Sequence, residues 1–357
     1  MGSWDEERTM PRERPTLAQV AEQSGYAAST VSLVLNDRPG TRISQEARDK
    51  IRAAADALGY APDPGARGLR TGRTDAVGFV SDEVTVTRFA SAMVTGAVEA
   101  VQQDGHVLII SEVGVGNLET QGAVDVLLDR RVDALVVGLM RARQVRVPRS
   151  AGRIATVVAN GVGKWDSPAQ FQDSPPALGS VLPDEYSAGR KAVDYLVASG
   201  HTSIALIGRH PAHLDPEVSV TIPARFAGMD EAMVAAGLKF VADESVREWE
   251  PAGGRRALRE ILKVASPTAV ICANDRMAFG VYQEAVRKGL RIGVDLSVIS
   301  FDDEALASYL EPGLTTIRIP YREMGEIAVR MAKSGRLRDE LIPMPLVERH
   351  SVAFLEV

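Results

Sequence analysis

The stretch "TLAQVAEQSGYAASTVSLVLN", residues 16–36, predicts two short helices separated by a tight turn. Thr16 is a suitable N-cap, and Gln19 three residues later completes a capping-box pattern. Gly25 supplies the turn, because glycine tolerates the backbone that tight turns need. The second helix starts with small side chains and then becomes apolar on one side. Such a helix suits close approach to a flat polar surface, and an ordinary buried helix is the alternative.

A third helix is predicted between Ser44, a suitable N-cap, and Gly59, which suits a helix end. Its apolar residues at helical spacing are Ala47, Ile51, Ala54 and Leu58. Two helices around a tight turn, with small residues opening the second, fit a helix-turn-helix, whose second helix enters the major groove of DNA. A three-helix bundle without special function, or a protein-binding module, is the alternative.

The second helix divides into a face for DNA and a face for its own core. The small side chains that permit close approach are Ala27, Ala28 and Ser29. The polar side chains that can bond phosphate oxygens are Thr30, Ser32 and Asn36. The apolar residues predicted to face the other two helices are Val31, Val34 and Leu35.

Composition limits the class of protein. The chain has 357 residues, 45% hydrophobic and 25% charged, which is typical of a globular protein with two or three domains. Its net charge is -6, yet residues 15–73 carry eight Lys or Arg against six Asp or Glu. The single cysteine, Cys272, excludes a disulfide or a cysteine-based zinc site within one chain. Without a long apolar run or an apolar signal core, we expect a cytoplasmic protein with no membrane partner.

From residue 75 onward, apolar strands alternate with amphipathic helices. The strand candidates are 76–80, 106–110, 134–138, 155–159, 204–208, 269–273 and 296–301, and the helix candidates include 90–103, 187–198, 225–236 and 277–288. Nearly continuous apolar strands between helices indicate an α/β fold with parallel sheets covered on both faces. The region is too long for one small sheet, so we expect two linked lobes with a ligand cleft beyond the strand ends.

Several blocks resemble the LacI/GalR family of bacterial transcription regulators. After residues 16–36 come "GHTSIALIG", "RFAGM", "ANDRMAFG", "LSVISFDD" and "LTTIRIP", in that order. The resemblance implies a two-lobed core like that of periplasmic binding proteins. The expected domains are a disordered leader at 1–15, the head at 16–61, a hinge helix or linker at 62–74 and the effector-binding and dimerisation core at 75–357. Within the core, lobe 1 is expected at about 75–182 and 318–338, and lobe 2 at about 183–317 and 339–357.

The resemblance also implies a homodimer that places two heads on a near-palindromic double-stranded DNA operator. A hinge leucine would enter the minor groove and kink the DNA, and Leu69, beside Ala66, matches it. The alternative is an exposed linker with an incidental leucine. The complete set of predicted DNA-binding residues is Thr16, Ala27, Ala28, Ser29, Thr30, Ser32, Leu33, Asn36, Arg42, Ser44, Ala66, Arg67, Leu69 and Arg70.

The sequence departs from the family pattern at several DNA-binding positions. Ala27 replaces a capping serine, and a missing cap costs about 1 kcal/mol. Leu33 replaces a base-reading arginine of some members, so readout there is apolar or absent. Gly65 and Gly68 weaken the proposed hinge helix.

Carried over from the family, the effector-binding positions are Arg225, Trp249, Asn274, Asp302 and Tyr321. Their chemistry suits a polyol, because arginine, aspartate and asparagine bond hydroxyls while an aromatic ring covers a sugar face. In lobe 1, the polar candidates are Asp82, Arg88 and Asn160. The alternatives are a helix cap for Asn274, a core or surface position for Trp249, and packing at the crossover between lobes for Tyr321.

No metal or cofactor is expected besides a small-molecule effector. His210, His213 and Asp215 lie in one loop, but a loop without a helix to fix them is more often simply polar. An enzyme is also disfavoured: "GVGN" at 114–117 lacks the third glycine of a dinucleotide fingerprint, and the adjacent Asp302 and Asp303 should point to opposite faces.

The sequence therefore predicts a DNA-binding transcriptional regulator, most simply a repressor, controlled allosterically by a small polar ligand in the cleft. A sugar is the first ligand class. The alternatives are a regulator that responds to a nucleobase-like metabolite and an intracellular sugar- or metabolite-binding protein with a weakened DNA head. A secreted sugar receptor would need a signal peptide and no DNA head.

Overall fold

The computed structural model of the protein describes residues 15–36, 40–61, 72–81, 88–113 and 120–356, without the side chains of residues 88–90. The chain divides into two compact units, Met1–Thr74 and Asp75–Val357. The division coincides with the predicted junction between hinge and core. In the part of the chain that is described, no helix combines the length and apolar character needed to cross a membrane.

The head contains the three predicted helices, α1 (Leu17–Ser24), α2 (Ala28–Leu35) and α3 (Gln45–Leu58). At the start of α1, the Gln19 amide donates to Thr16 Oγ1 over 3.3 Å and Gln19 Oε1 accepts from the Thr16 amide over 2.8 Å, so the capping box is confirmed. Gly25 (φ 75°) ends α1 in the left-handed conformation. As predicted, Ala27 gives α2 no side-chain cap.

The start of α3 and the core of the head also follow the sequence. Ser44 Oγ accepts from the Ala47 amide over 3.3 Å, and Gly59 (φ 66°) ends the helix. The buried apolar residues come from all three helices: Val20, Val31, Val34, Ile51, Ala54 and Ala55. This small core holds the first residues of α2 at the surface.

The core unit has two six-stranded sheets. Its strands are β1 (Ala76–Ser81), β2 (Val107–Glu112), β3 (Ala134–Val147), β4 (Ala155–Trp165), β5 (Gly179–Pro183), β6 (Ile204–Ile207), β7 (Ala242–Glu244), β8 (Ala269–Cys272), β9 (Ser297–Asp302), β10 (Thr315–Arg318), β11 (Asp339–Ile342) and β12 (Leu346–Val347). Lobe 1 has the order β11-β5-β4-β3-β1-β2, and lobe 2 has β12-β10-β9-β8-β6-β7. Neighbouring strands are parallel except β10 and β12, which confirms the predicted α/β class.

Helices cover both sheets, and paired glycines bring some of them close together. The helices are α4 (Arg88–Gln102), α5 (Gln121–Asp129), α6 (Glu185–Ala198), α7 (Ile222–Ala235), α8 (Pro251–Val264), α9 (Asp275–Arg287), α10 (Ala305–Tyr309) and α11 (Tyr321–Ser334). A Cβ atom on Gly189 of α6 would lie 2.0 Å from the Arg225 carbonyl oxygen of α7, and one on Gly228 of α7 would lie 2.1 Å from the Tyr186 oxygen. These glycines therefore allow α6 and α7 to pack backbone to backbone.

Two boundaries differ from the sequence-based prediction. The sequence-based prediction places residues 339–342 in lobe 2, but they form β11, which pairs in parallel with β5 of lobe 1. The prediction was wrong because the sequence of a short segment does not show which strand it pairs with. Strands β3 and β4 continue far beyond the predicted 134–138 and 155–159. After a register shift between Gly138 and Arg143 they form a two-stranded ribbon that ends at Val147 and Trp165.

Candidate DNA-binding and effector sites

The start of α2 presents the surface that the sequence predicts for DNA. Ala27, Ala28 and Ser29 are exposed, whereas Thr30, Ser32 and Leu33 are half-buried. Val31 and Val34 are fully buried beneath them. The head therefore offers a helix start without long side chains, which can approach a groove closely. The DNA contacts themselves stay predictions.

Three other predicted DNA-binding side chains also stabilise the head. The hydroxyls of Thr16 and Ser44 cap α1 and α3, and Asn36 Nδ2 donates to the Ser32 carbonyl over 2.7 Å. Arg42 is exposed. The hinge positions lie outside the described residues: Gly65, Ala66, Arg67, Gly68, Leu69 and Arg70.

A cavity of about 510 Å³ lies between the lobes of the core and has the size of a small-molecule site. Six of the eight predicted effector residues line it: Asn160, Arg225, Trp249, Asn274, Asp302 and Tyr321. Asp82 and the side chain of Arg88 lie outside the described part of the chain. Residues far apart in sequence are thus brought together at the ends of several strands.

Arg225 is fully buried and bound to a partner that the sequence analysis missed. Its Nε and Nη2 donate to the two carboxylate oxygens of Glu185 over 2.6 and 2.7 Å, and its Nη1 donates to the Ala273 carbonyl over 2.6 Å. Its guanidinium also lies 4.2 Å from the centre of the Phe301 ring. Arg225 also lines the cavity, and its bonding to ligand hydroxyls stays a prediction.

Asn274 acts as the helix cap that the sequence left as an alternative. Its Oδ1 accepts from the Met277 amide over 2.9 Å at the start of α9, and its Nδ2 donates to the Trp249 carbonyl over 3.1 Å. Trp249 in turn donates from Nε1 to the Gly208 carbonyl over 2.8 Å. The asparagine therefore fixes the segment that holds the tryptophan in the cavity wall.

Asp302 is the acidic group of the cavity. It ends β9 with φ 109°, a left-handed conformation that aspartate tolerates better than most residues. Burial raises the pKa of Asp302 well above its usual range, and nearby carboxylates add to this while Arg225 opposes it. Asp303 binds Arg349 over 2.7 Å instead, so the two adjacent aspartates do not form a pair, as predicted.

Asp275, at the start of α9, lies buried close to this acidic group. It accepts hydrogen bonds from the Ser300 hydroxyl, from Thr316 Oγ1 over 2.8 Å and from the Glu304 amide over 2.7 Å. Burial nevertheless raises the pKa of Asp275 to about 7. Its side chain connects β9, β10 and the segment that follows β9.

The other aromatic and amide groups come from the crossover and from lobe 1. Tyr321, at the start of α11, places its hydroxyl 3.4 Å from the Met140 carbonyl, and burial raises the pKa of this phenol. Asn160 (φ 59°) follows the sheet portion of β4 and donates from Nδ2 to the Leu139 carbonyl over 2.9 Å. Tyr321 thus lies at the crossover between lobes, as its alternative reading proposed, and also lines the cavity.

Sequence reasoning missed several charged residues of the cavity. They are Arg141, Glu185, Arg247, Glu250, Arg276 and Glu304. Arg276 binds Glu250 over 3.0 Å and Glu304 over 3.1 Å. The one available signal was that a buried arginine needs an acidic partner, but the sequence does not show which acid lies nearby.

The loop histidines have other roles than metal binding. His210 Nδ1 accepts from the Ala212 amide, His213 Nε2 contacts the Arg247 carbonyl, and Asp215 caps a turn through the Glu217 amide. Within the described ranges, no group of three His, Cys, Asp or Glu side chains is arranged to hold a metal ion.

Comparisons with known proteins match both units. Residues 16–63 match the model of bacterial regulatory proteins of the lacI family, and residues 193–352 match a periplasmic binding protein-like domain. The HTH-type transcriptional repressor PurR of Escherichia fergusonii is 31% identical over 355 residues, covering 95% of this chain and 97% of that protein. The PurR protein of Erwinia tasmaniensis is 32% identical over 353 residues, with the same coverage of both chains.

Solved structures give the same result. The Lac repressor dimer bound to operator and the anti-inducer ONPF has a TM-score of 0.72 at 26% identity, covering 96% of this chain and 100% of that one. The complex of the regulator CelR with cellobiose has a TM-score of 0.58 at 24% identity, covering 95% and 100%, and supports the fold alone.

The class is therefore a helix-turn-helix transcriptional repressor with a periplasmic-binding-protein-like core. The chain belongs to the LacI family of bacterial regulatory proteins. Because its relatives are transcriptional repressors, it is a DNA-binding regulator and not an enzyme.

Proposed function

We propose that a small polar ligand bound in the cavity between the lobes controls the affinity of this repressor for its operator. A sugar is the first ligand class. The observation that carries the proposal is the half-buried Asp302 carboxyl, which lines the same cavity as the Trp249 ring and accepts no hydrogen bond from the described residues. A ligand hydroxyl would satisfy the carboxyl while the indole covers an apolar ring face.

The mechanism proposed is a shift between two forms of the core. A ligand changes operator affinity only as far as it binds one form better than the other. The Lac repressor structure holds operator and an anti-inducer together, which supports a ligand site separate from the DNA site in this chain as well. We further propose a cytoplasmic homodimer joined through the core lobes and working without a cofactor.

The experiment compares Asp302→Asn with Asp303→Asn. Asparagine suits the left-handed backbone at 302 and has the shape of aspartate, so the variant should fold, but it replaces one carboxyl oxygen by an amide donor. The melting temperature of each purified protein is measured in the presence of each member of a panel of monosaccharides, disaccharides and nucleobases. We expect a panel member to raise the melting temperature of the wild type and of Asp303→Asn but not of Asp302→Asn. Equal stabilisation of all three proteins would refute the site, and stabilisation by nucleobases alone would replace the sugar.

A second candidate is a metabolite-binding protein with a weakened DNA head, which the uncapped start of α2 favours. One experiment distinguishes the repressor from the metabolite-binding protein. The full-length protein is mixed with sheared DNA of the source organism, and the fragments that it binds are sequenced. Enrichment of a near-palindromic site of about two helical turns supports the repressor. Failure to enrich any site at low salt, with and without the stabilising panel member, supports the alternative.

A further inference from the structure

The loop of residues 209–221 leaves lobe 2 and bonds to lobe 1. It connects β6 to α7 of lobe 2. The Gln144 amide of β3 donates to the Pro216 carbonyl over 3.1 Å, and the Val220 amide donates to the Ala142 carbonyl over 2.6 Å. The loop therefore runs antiparallel beside the part of β3 that extends past its sheet. We call residues 209–221 the clasp.

Both ends of the clasp are fixed to lobe 2. At its start, Arg209 binds both carboxylate oxygens of Asp230 on α7, over 2.8 and 2.6 Å, and Asp243 on β7 over 2.9 Å. At its end, Ser219 Oγ accepts from the Thr221 and Ile222 amides over 3.3 and 3.1 Å. The clasp therefore belongs to lobe 2, and its hydrogen bonds to β3 can break without disturbing the lobe 2 sheet.

The clasp also forms one wall of the cavity. Its lining residues are His213, Val218, Ser219 and Thr221. The His213 ring lies edge to face on Trp249, with 4.6 Å between ring centres. His213 Nε2 lies 3.1 Å from the Arg247 carbonyl, which only accepts, so this nitrogen carries the proton. Breaking the bonds between the clasp and β3 would therefore open the cavity wall beside Trp249 to solvent.

We propose that the clasp gates the cavity: its two backbone hydrogen bonds to β3 hold the wall closed, and they break when a ligand enters or leaves. Two such bonds are exchanged for bonds to water on opening and contribute modestly to stability, so opening does not require unfolding of lobe 2. That the exchanged ligand is the effector rests on the proposed function. The gate itself is tested without an effector.

The test measures quenching of Trp249 fluorescence by acrylamide, a small neutral probe. The chain has three tryptophans, so Trp4→Phe and Trp165→Phe leave Trp249 as the reporter. Ala142→Cys with Val220→Cys places two thiols on residues joined by a backbone hydrogen bond, so that a disulfide between them would tie the clasp to β3. Cys272 is fully buried and burial raises its pKa, so it does not compete.

We expect oxidation of the cysteine pair to lower the quenching constant several-fold and reduction of the same sample to restore it. Equal quenching of the two forms, with the disulfide confirmed by mass spectrometry, would overturn the gate. Two single substitutions that introduce no cysteine test the gate a second time. Val220→Pro removes one bridging donor and should raise quenching, whereas Leu214→Ser changes an exposed clasp residue and should not.

If the protein with the cysteine pair does not fold, the comparison of Val220→Pro with Leu214→Ser tests the gate alone. Equal quenching constants for these two variants would overturn the gate. Failure of every panel member to bind, together with a working gate, would refute the proposed effector site and leave the clasp intact.

Discussion

The two lobes share one sheet order but use it differently. In lobe 1, β4 lies between β3 and β5, and in lobe 2, β9 lies between β8 and β10. Each of these strands reaches the cavity with a non-glycine residue at positive φ, Asn160 at 59° and Asp302 at 109°. The fold thus places equivalent positions, both in a conformation that Asn and Asp adopt more readily than most residues, on the two sides of the cavity.

The chemistry at these positions differs. The Asn160 amide is satisfied by the Leu139 carbonyl of its own lobe. Asp302 shares lobe 2 with the buried carboxyl of Asp275 and the Glu185–Arg225 ion pair. Among the described cavity-lining residues, the buried ion pair therefore belongs to lobe 2, and we expect the stability of lobe 2 to depend on electrostatics more than that of lobe 1. Two experiments test this electrostatic difference, and a third compares the helix packing of the two lobes.

The largest effect is expected for Arg225→Met. The substitution leaves Glu185 buried without its partner, which costs about 3–5 kcal/mol. Urea denaturation of the wild type and of Arg225→Met measures this loss as the difference between their free energies of unfolding.

Replacing both partners, Glu185→Leu with Arg225→Met, should recover much of that loss because no charge stays buried. Arg291→Gln serves as a control because it breaks an exposed ion pair of the same lobe, with Asp295, and should change little. If Arg225→Met costs no more than the control, lobe 2 does not depend on buried charge.

The second effect is a pH dependence of the free energy of unfolding, which we expect to come from Asp275. Its pKa is about 7 in the folded protein, against about 3.9 when unfolded, so between these values only the folded state holds the proton. The free energy of unfolding should therefore fall as the pH rises from 4 to 7, by at most about 1.4 kcal/mol per pH unit. Asp275→Asn removes this contribution.

Denaturation of both proteins across that range checks the pH dependence. The neighbouring Asp302 carboxyl is present in both proteins, so the difference between the two curves reports the contribution of Asp275 together with its interaction with Asp302. Parallel curves for wild type and variant would show that Asp275 ionises normally.

The smallest effect is expected for Gly189→Ala. The added Cβ would meet the Arg225 carbonyl and separate α6 from α7, and overpacking of this kind costs about 1–3 kcal/mol. Gly122→Ala on α5 of lobe 1 is the control, since a Cβ there has no neighbour within 4 Å. Thermal denaturation compares them. A melting temperature for Gly189→Ala equal to that of Gly122→Ala would show that the helix contact is not tight.

Much of the fold was predictable because its signals are local. Caps at Thr16 and Ser44, helix ends at Gly25 and Gly59, and apolar strands each depend on a few neighbouring residues. The ribbon that extends β3 and β4 was missed because its alternating polar residues lack the continuous apolar signal of a buried strand. Pairing of β11 with β5 was missed because it depends on a partner more than 150 residues away.

The candidate site was predicted by residue type but not by role. Six predicted effector residues do line the cavity, yet Arg225 bonds Glu185 and Asn274 caps a helix. A side chain's partner is decided by which elements meet in space. Glu185 and Arg276 therefore had no distinguishing signal in the sequence, and the loop that holds His210 and His213 gave no sign of its contact with lobe 1.

The sequence by itself determined the head, the α/β class of the core and the family, because helix caps, hydrophobic periodicity and ordered motifs each depend on residues that are close together in the sequence. The tertiary structure decided which charges are paired, which side chains line the cavity and how one lobe contacts the other. Burial and hydrogen bonding are properties of neighbours in space, and only the packed chain brings residues such as Ala142 and Val220 within 2.6 Å of each other.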